Sequence, residues 1–312
     1  MMRCPALTIL ALLAAALGGC VTPTASFKAR AVLAGLYERD VPGETFTHAA
    51  FWNRAARRMP NATATPGPRV LHIYIDGDGK PYEPGHPERP TRDPTPRNPI
   101  TLGLISQDDA PAVLLGRPCF DGQHKTPQCA SAYWNDLRYS EQVVASMTAA
   151  MHRLIEQTRA DGAVLFGVSG GGALGVLIAD RSDKVLGLVT VGANLDLNAW
   201  YAYHANAESV DRNAWWAWHK KPGPGDVLNP ATDGRRHVGA YARRFERHYV
   251  GGRDRIVPPA TQIRGLRSLS EQIVVPNFDH NCCWARMWPE ILKETAQAVS
   301  QSAATAARPA GQ

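Results

Sequence analysis

One serine stands among glycines in the stretch Phe166-Gly167-Val168-Ser169-Gly170-Gly171-Gly172-Ala173-Leu174-Gly175. Residues 167–171 match Gly-x-Ser-x-Gly, with GAVLFGV (162–168) before the serine and GGALGVLIAD (171–180) after it. The first run reads as a buried strand and the second as an apolar helix. Glycine weakens either element, so its concentration at their junction points to a turn that Cβ atoms would obstruct. In a strand–turn–helix of this kind the serine hydroxyl is presented above the sheet edge as a nucleophile, with room made by Gly167 and Gly171. A glycine-rich helix packed tightly on its strand would give the same composition without chemistry. A serine hydroxyl is a poor nucleophile until a base accepts its proton and an acid orients that base. The rest of the chain must supply both.

Two other clusters invite a metal reading. DGDG (76–79) resembles the start of a calcium loop, but the acidic ligands that an EF-hand needs further on are missing. DHNCC (279–283) could ligate zinc, yet no second ligand pair stands at metal spacing. The expectation is therefore no metal and no organic cofactor.

The elements that must position Ser169 belong to a chain of 312 residues, 44% hydrophobic and 20% charged, the size of one large α/β domain. The net charge of +6 is spread along the chain without a Lys/Arg run, which argues against a nucleic-acid partner. At the N-terminus, Arg3 precedes the apolar run ALTILALLAAAL (6–17), the length of a signal-peptide core rather than of a membrane span. It ends in LGGC (17–20), which resembles the lipobox of bacterial lipoproteins. That resemblance implies removal of residues 1–19, lipidation of Cys20, a tether over 20–27 and sorting to the outer membrane, facing the periplasm. An ordinary secretory signal, giving a soluble exported protein, is the alternative. Export leaves Cys119, Cys129, Cys282 and Cys283, and an oxidising compartment favours a Cys119–Cys129 disulfide across a short loop. The adjacent Cys282 and Cys283 stay open, since neighbouring cysteines pair only with backbone strain.

Along the chain, KARAVLAGL (28–36) and FTHAAFWNRA (46–55) read as two early strands, with a turn at Pro42-Gly43. RVLHIYI (69–75) is a buried strand, and the seven prolines of 81–99 mark an excursion with little regular structure. Helix 98–108, strand 111–118, helix 139–159, strand 162–168, helix 171–180 and strand 184–194 follow. An insert over about 196–240, strands 244–252 and 271–278, a helix over 284–301 and a disordered tail over 303–312 complete the domain of 28–302. Strands alternating with helices predict a mainly parallel sheet covered on both faces.

With that order in place, the chain resembles the α/β-hydrolase superfamily, in particular its exported bacterial members. The stretches that carry the likeness are HIYIDGDG (72–79), RPC (117–119), RYS (138–140), GVSGGGA (167–173), GANLDLNAW (192–200), YVGGRDRIVPP (249–259) and DHNCCW (279–284). The resemblance implies the chain order serine, acid, histidine. Of ten histidines, eight precede the last predicted strands or lie in the insert, His248 lies within a strand, and only His280 follows Asp254. The implied triad is Ser169, Asp254 and His280, with Asp196 as the alternative acid; Asp279 adjoins His280 too closely to fold back onto its ring. Oxyanion donors are expected from the Gly170 amide and from Gly77-Asp78-Gly79, where Asp78 is the first choice and Gly77 the next. The Asp78 side chain must then point away or be neutralised. Trp200, Trp215, Trp216 and Trp218 with Tyr201 and Tyr203 fall in the insert, either as a lid over an apolar acyl group or as a cap on the body.

These observations point to a lipid-anchored serine hydrolase of carboxylic esters, with a small-molecule or lipid-like acyl substrate. A peptidase, amidase or acyltransferase would use the same residues, and a non-catalytic envelope lipoprotein on the same fold is the alternative from another class.

Overall fold

Runs of valine, isoleucine and leucine become strands buried on both faces wherever helices cover the sheet from either side. The computed structural model describes residues 21–61, 67–206, 228–233 and 244–306. Its main sheet has eight strands: β1 Tyr37–Glu38, β2 Ala50–Trp52, β3 Val70–Ile75, β4 Ala112–Leu115, β5 Gly162–Val168, β6 Val185–Val191, β7 Phe245–Gly251 and β8 Gln272–Val275. Their spatial order is β1-β2-β4-β3-β5-β6-β7-β8. The two β1–β2 and β2–β4 pairings are antiparallel and every later pairing is parallel.

The helices are α1 Pro23–Leu33, α2 Arg54–Arg58, α3 Ile100–Ile105, α4 Glu141–Thr158, α5 Gly170–Ala179, α6 Leu197–Asn206, α7 Pro230–Asp233 and α8 Trp288–Ala306. They make two cores, one on each face of the sheet. Met147, Met151 and Leu154 of α4 and Leu174 and Leu177 of α5 bury Leu71, Ile73, Leu165 and Leu188. Phe27 of α1, Leu104 of α3 and Trp288 and Ile291 of α8 bury Tyr74, Val164, Phe166 and Val189. Alternate residues of β5 thus enter opposite cores, and its C-terminal end carries Ser169 out of both. Ser140 caps α4 by accepting from the Val143 amide at 3.4 Å, as its place before the helical pattern suggests.

The early segments differ from the sequence reading. KARAVLAGL, expected as a strand, lies mostly in α1: Pro23 occupies the first turn, Thr22 Oγ1 accepts from Ala25 N–H at 3.2 Å, and Phe27 and Ala31, four apart, are the buried face. FTHAAFWNRA is not one strand. Thr47–His48 pairs with Val41–Pro42 in a separate ribbon, only Ala50–Trp52 enters the main sheet, and Asn53 caps α2 by accepting from Ala56 N–H. The proline-rich excursion contains a hairpin, Tyr82–Glu83 against His86–Pro90. The expected tail begins too early, because α8 continues to Ala306. The signal segment, Cys20 and the tryptophans at 215, 216 and 218 lie outside the described residues.

Cys119 and Cys129 form a disulfide, and Cys119 is fully buried beside Phe120. Cys282 and Cys283 are bonded to each other. The Cys119–Cys129 bridge closes a short loop next to Arg117, so the double variant Cys119→Ala/Cys129→Ala is expected to lose about 2–4 kcal/mol of unfolding free energy. Urea titration of the two proteins measures it, and an unchanged midpoint would refute a stabilising role.

Candidate active site

β5 ends at Val168 and α5 begins at Gly170, so a single residue makes the turn. That residue, Ser169, has φ 52° and ψ −124°, a conformation costly for any side chain. Its amide donates to the Val191 carbonyl at 2.8 Å and its carbonyl accepts from Gly172 at 2.9 Å. The neighbouring glycines are required by contact rather than by flexibility. A Cβ on Gly167 would lie 2.5 Å from the Gly172 Cα, and one on Gly171 would strike the carbonyl of Ile75. The Gly170 amide opens α5, where an N–H has no partner inside the helix.

The next strands bring the other two groups. Asp254 follows β7 and is 4% exposed. Its Oδ1 accepts from the amides of Ile256 and Val257 at 2.9 and 2.8 Å, which aims Oδ2 at His280 Nδ1, 2.8 Å away. His280 follows β8 on a turn shaped by Asp279, whose Oδ1 accepts from the Asn281 and Cys282 amides. Gly192, at φ 54° after β6, clears space for this pair: a Cβ there would sit 3.1 Å from His280 Nδ1 and 3.2 Å from Asp254 Oδ2. Because Nδ1 faces Asp254, Nε2 is the ring nitrogen left for a ligand. Ser169 and His280 line one cavity of about 750 Å³ together with Asp76, Gly77 and Asp78.

The loop after β3 supplies the facing wall. The Cβ position of Gly77 lies 3.2 Å from Ser169 Cβ and 3.8 Å from its Oγ, so the loop backbone passes close beside the serine. The Gly77 amide donates to Asp76 Oδ1 at 2.9 Å, however, and is therefore committed; the second-choice oxyanion donor is already occupied. The Asp78 amide has no acceptor among the described residues. The Asp78 carboxylate is held in a buried clamp: Arg117 Nη1 donates to Oδ1 at 2.5 Å, Arg138 Nε lies 3.2 Å from Oδ2, and the Tyr139 hydroxyl donates at 2.8 Å. Burial alone would raise this carboxyl, but the Arg117 and Arg138 charges and the Tyr139 hydrogen bond outweigh it and hold it at about 2. Arg138 also donates to the Tyr201 hydroxyl at 3.0 Å, which ties α6 of the insert to the same clamp.

Asp196, the alternative acid, instead caps α6: its Oδ1 accepts from the amides of Asn198 and Ala199 and from Asn229 Nδ2. His248 is buried in β7 against the Thr190 hydroxyl. Trp200 and Tyr201 are buried on the body, with Trp200 Nε1 donating to the Ile256 carbonyl at 2.7 Å. The described part of the insert is thus a packed cap. Among the described residues one cluster has metal-ligand spacing, Glu246, His248 and Glu271. Arg244 and Arg267 already neutralise its carboxylates at 2.7 and 2.6 Å, and it does not border the cavity.

Sequence reasoning assigned no role to Asp76, Arg117, Arg138 or Tyr139. The last three stand in RPC and RYS, and the signal was there: an aspartate expected beside an oxyanion donor needs its charge matched by buried cations.

No protein-family model matches the chain, and no curated protein matches it in sequence. Solved structures do resemble it. A puromycin hydrolase is 15% identical with a TM-score of 0.54, over 88% of this chain and 40% of that one. An acylaminoacyl peptidase of Pyrococcus horikoshii is 10% identical with a TM-score of 0.53, over 85% and 42%. A candidate lipase of Acinetobacter baumannii is 11% identical with a TM-score of 0.51, over 89% and 97%. The chain spans less than half the length of the first two. At these identities the likeness shows the fold alone: the chain has the α/β-hydrolase fold.

Asp76 generates a pH prediction. Burial pushes its carboxyl up to about 6, against the Thr101 hydroxyl, the Gly77 amide and the Arg117 charge, and its Oδ2 is buried without a hydrogen bond of normal geometry. The folded protein binds this proton more tightly than the unfolded chain. The resulting stabilisation is complete below pH 3.8 and is lost as pH rises through about 6. Asp76→Asn keeps an acceptor for Gly77 and carries no charge. It is expected to match the wild type in acid and to exceed it by about 1–3 kcal/mol at neutral pH. Denaturant midpoints across the pH range give the difference, and a gap that does not widen with pH would refute the assignment.

Proposed function

We propose that the chain is a serine hydrolase that cleaves carboxylic esters through an acyl-enzyme. The observation that carries the reading is the 2.8 Å bond between Asp254 Oδ2 and His280 Nδ1, made beside the cavity on which the strained Ser169 opens. In this reading Nε2 of His280 takes the Ser169 proton as Oγ attacks the acyl carbonyl. The negative charge on the carbonyl oxygen is received by the Gly170 and Asp78 amides. Collapse of the tetrahedral species expels the alcohol, which takes the proton from His280. Water, deprotonated by the same imidazole, then attacks the acyl-enzyme, releases the acid and returns the proton to Ser169. Asp254 orients the ring through Nδ1 and stabilises the imidazolium.

A fluorophosphonate probe is expected to label the wild type and not Ser169→Ala. Against 4-nitrophenyl butyrate, Asp254→Asn is expected to lower kcat by about 10⁴-fold through loss of the correct imidazole tautomer. Labelling that persists in Ser169→Ala would refute the nucleophile. Turnover of aminoacyl 4-nitroanilides ahead of the ester would shift the reading to a peptidase, the activity named for one of the similar structures.

The chain is further proposed to be exported and held at the membrane by lipid on Cys20, as LGGC (17–20) suggests; the Cys119–Cys129 disulfide suits an oxidising compartment. No helix among the described residues is long and apolar enough to cross a membrane. Metabolic labelling with a radioactive fatty acid is expected to mark the full chain and not Cys20→Ser, and equal labelling of both would refute the anchor.

A further inference from the structure

The cavity before Ser169 and His280 has a strongly one-signed rim. Arg30, Lys80 and Arg97 all border it, and none has a carboxylate at ion-pair distance among the described residues. They come from three separate segments: α1, the loop after β3, and the loop that leads into α3. Packing brings these together. The Lys80 amide donates to the Pro94 carbonyl at 3.0 Å, and Arg30 Nη1 donates to the Arg97 carbonyl at 2.9 Å. Exposed cations ordinarily point into bulk water or find an acid; here three gather at the mouth of one cleft.

The carboxylates near them do not cancel this charge. Asp78 is already matched by Arg117 and Arg138, and Asp254 faces His280. Of the carboxylates that line the cavity, Asp76 is then the one left to oppose three cations. The remaining lining mixes the amides of Asn98 and Asn281 with a few apolar side chains such as Ile100, Val168 and Ile256. Of the aromatic residues of α6 that could have held a long acyl chain, Trp200 and Tyr201 are buried in the cap and Tyr203 is exposed, and none of the three borders the cavity. A long hydrocarbon would have to strip water from the three cations without replacing it, which is costly. An anion would be drawn in, because a cleft lined by one sign of charge focuses its field.

We propose that the site takes esters bearing a carboxylate or phosphate near the scissile carbonyl, the anion being held by Arg30, Lys80 and Arg97. The proposal rests on the serine-hydrolase reading and names its substrate class. The anion can belong to a soluble acid or to a lipid headgroup, with the same chemistry at the rim.

The test compares 4-nitrophenyl hemiglutarate with 4-nitrophenyl valerate, which match in acyl length and differ in the terminal charge, on the full chain. A parallel arm compares vesicles containing phosphatidic acid with vesicles containing diacylglycerol. The wild type is expected to favour the anionic ester in kcat/KM by about tenfold or more at low salt, with the preference fading near about 0.5 M salt as the charges are screened. In Lys80→Gln/Arg97→Gln the ratio of the two kcat/KM values is expected to fall towards one. A preference on the soluble pair assigns the anion to a free acid, and a preference confined to the vesicle pair assigns it to a headgroup. Turnover without preference in either arm overturns the anion site and leaves the hydrolase reading standing. No turnover and no fluorophosphonate labelling overturns both.

Discussion

Ser169 holds a backbone conformation that costs a side-chain-bearing residue about 1–3 kcal/mol, and its surroundings leave no cheaper one. The chain must turn from β5 into α5 within one residue. It does so while Gly167 touches Gly172 and Gly171 lies against the carbonyl of Ile75 at the end of β3. Relaxing the turn would drive those backbones into one another. The same contact brings the loop after β3 close beside the serine, so the strain and the wall of the cavity have one cause. Two apolar cores, one on each side of the sheet, hold β3, β5 and β6 in the register that makes the contact unavoidable.

Around this turn the charges are arranged by burial. Asp78 lines the cavity beside Ser169, and two buried guanidinium groups and a phenol bind its carboxylate. Removing both arginines would strand the carboxylate in a site too dry for it, a loss typically of about 3–5 kcal/mol. Asp76, two residues earlier, has no such clamp and its proton binds more tightly instead. Two aspartates in one tetrapeptide therefore titrate in opposite directions, because only one of them is reached by both arginines. The clamp also reaches Tyr201, so the cap contributes to the wall of the site without bordering the cavity itself.

Much of this was legible in the residue order. GAVLFGV and VLGLVTV are apolar without interruption because their strands are covered on both faces, and such runs are hard to mistake. The early segments were not legible. KARAVLAGL has apolar residues at both two- and four-residue spacings, and only the packing of Phe27 and Ala31 on the sheet chooses the helix. His280 could be singled out by order, since it alone among the histidines follows Asp254. The adjacent Asp279 could also be set aside in advance, being too close to fold back onto the ring, but the turn that it shapes with the Asn281 and Cys282 amides could not be read from the sequence.

Local residue chemistry determined the glycine-flanked serine, the alternation of strands and helices, the short disulfide loop and the order of the polar residues. These depend on neighbours a few positions apart, where side-chain shape and backbone freedom act directly. Only the tertiary structure decided that Arg117 and Arg138 neutralise Asp78, that Gly77 gives its amide to Asp76, and that Arg30, Lys80 and Arg97 share one rim. The first two are electrostatic or hydrogen-bonding matches whose strength falls off over a few ångströms, and the third is a meeting of like charges from three separate segments. All three exist only once folding has set the distance.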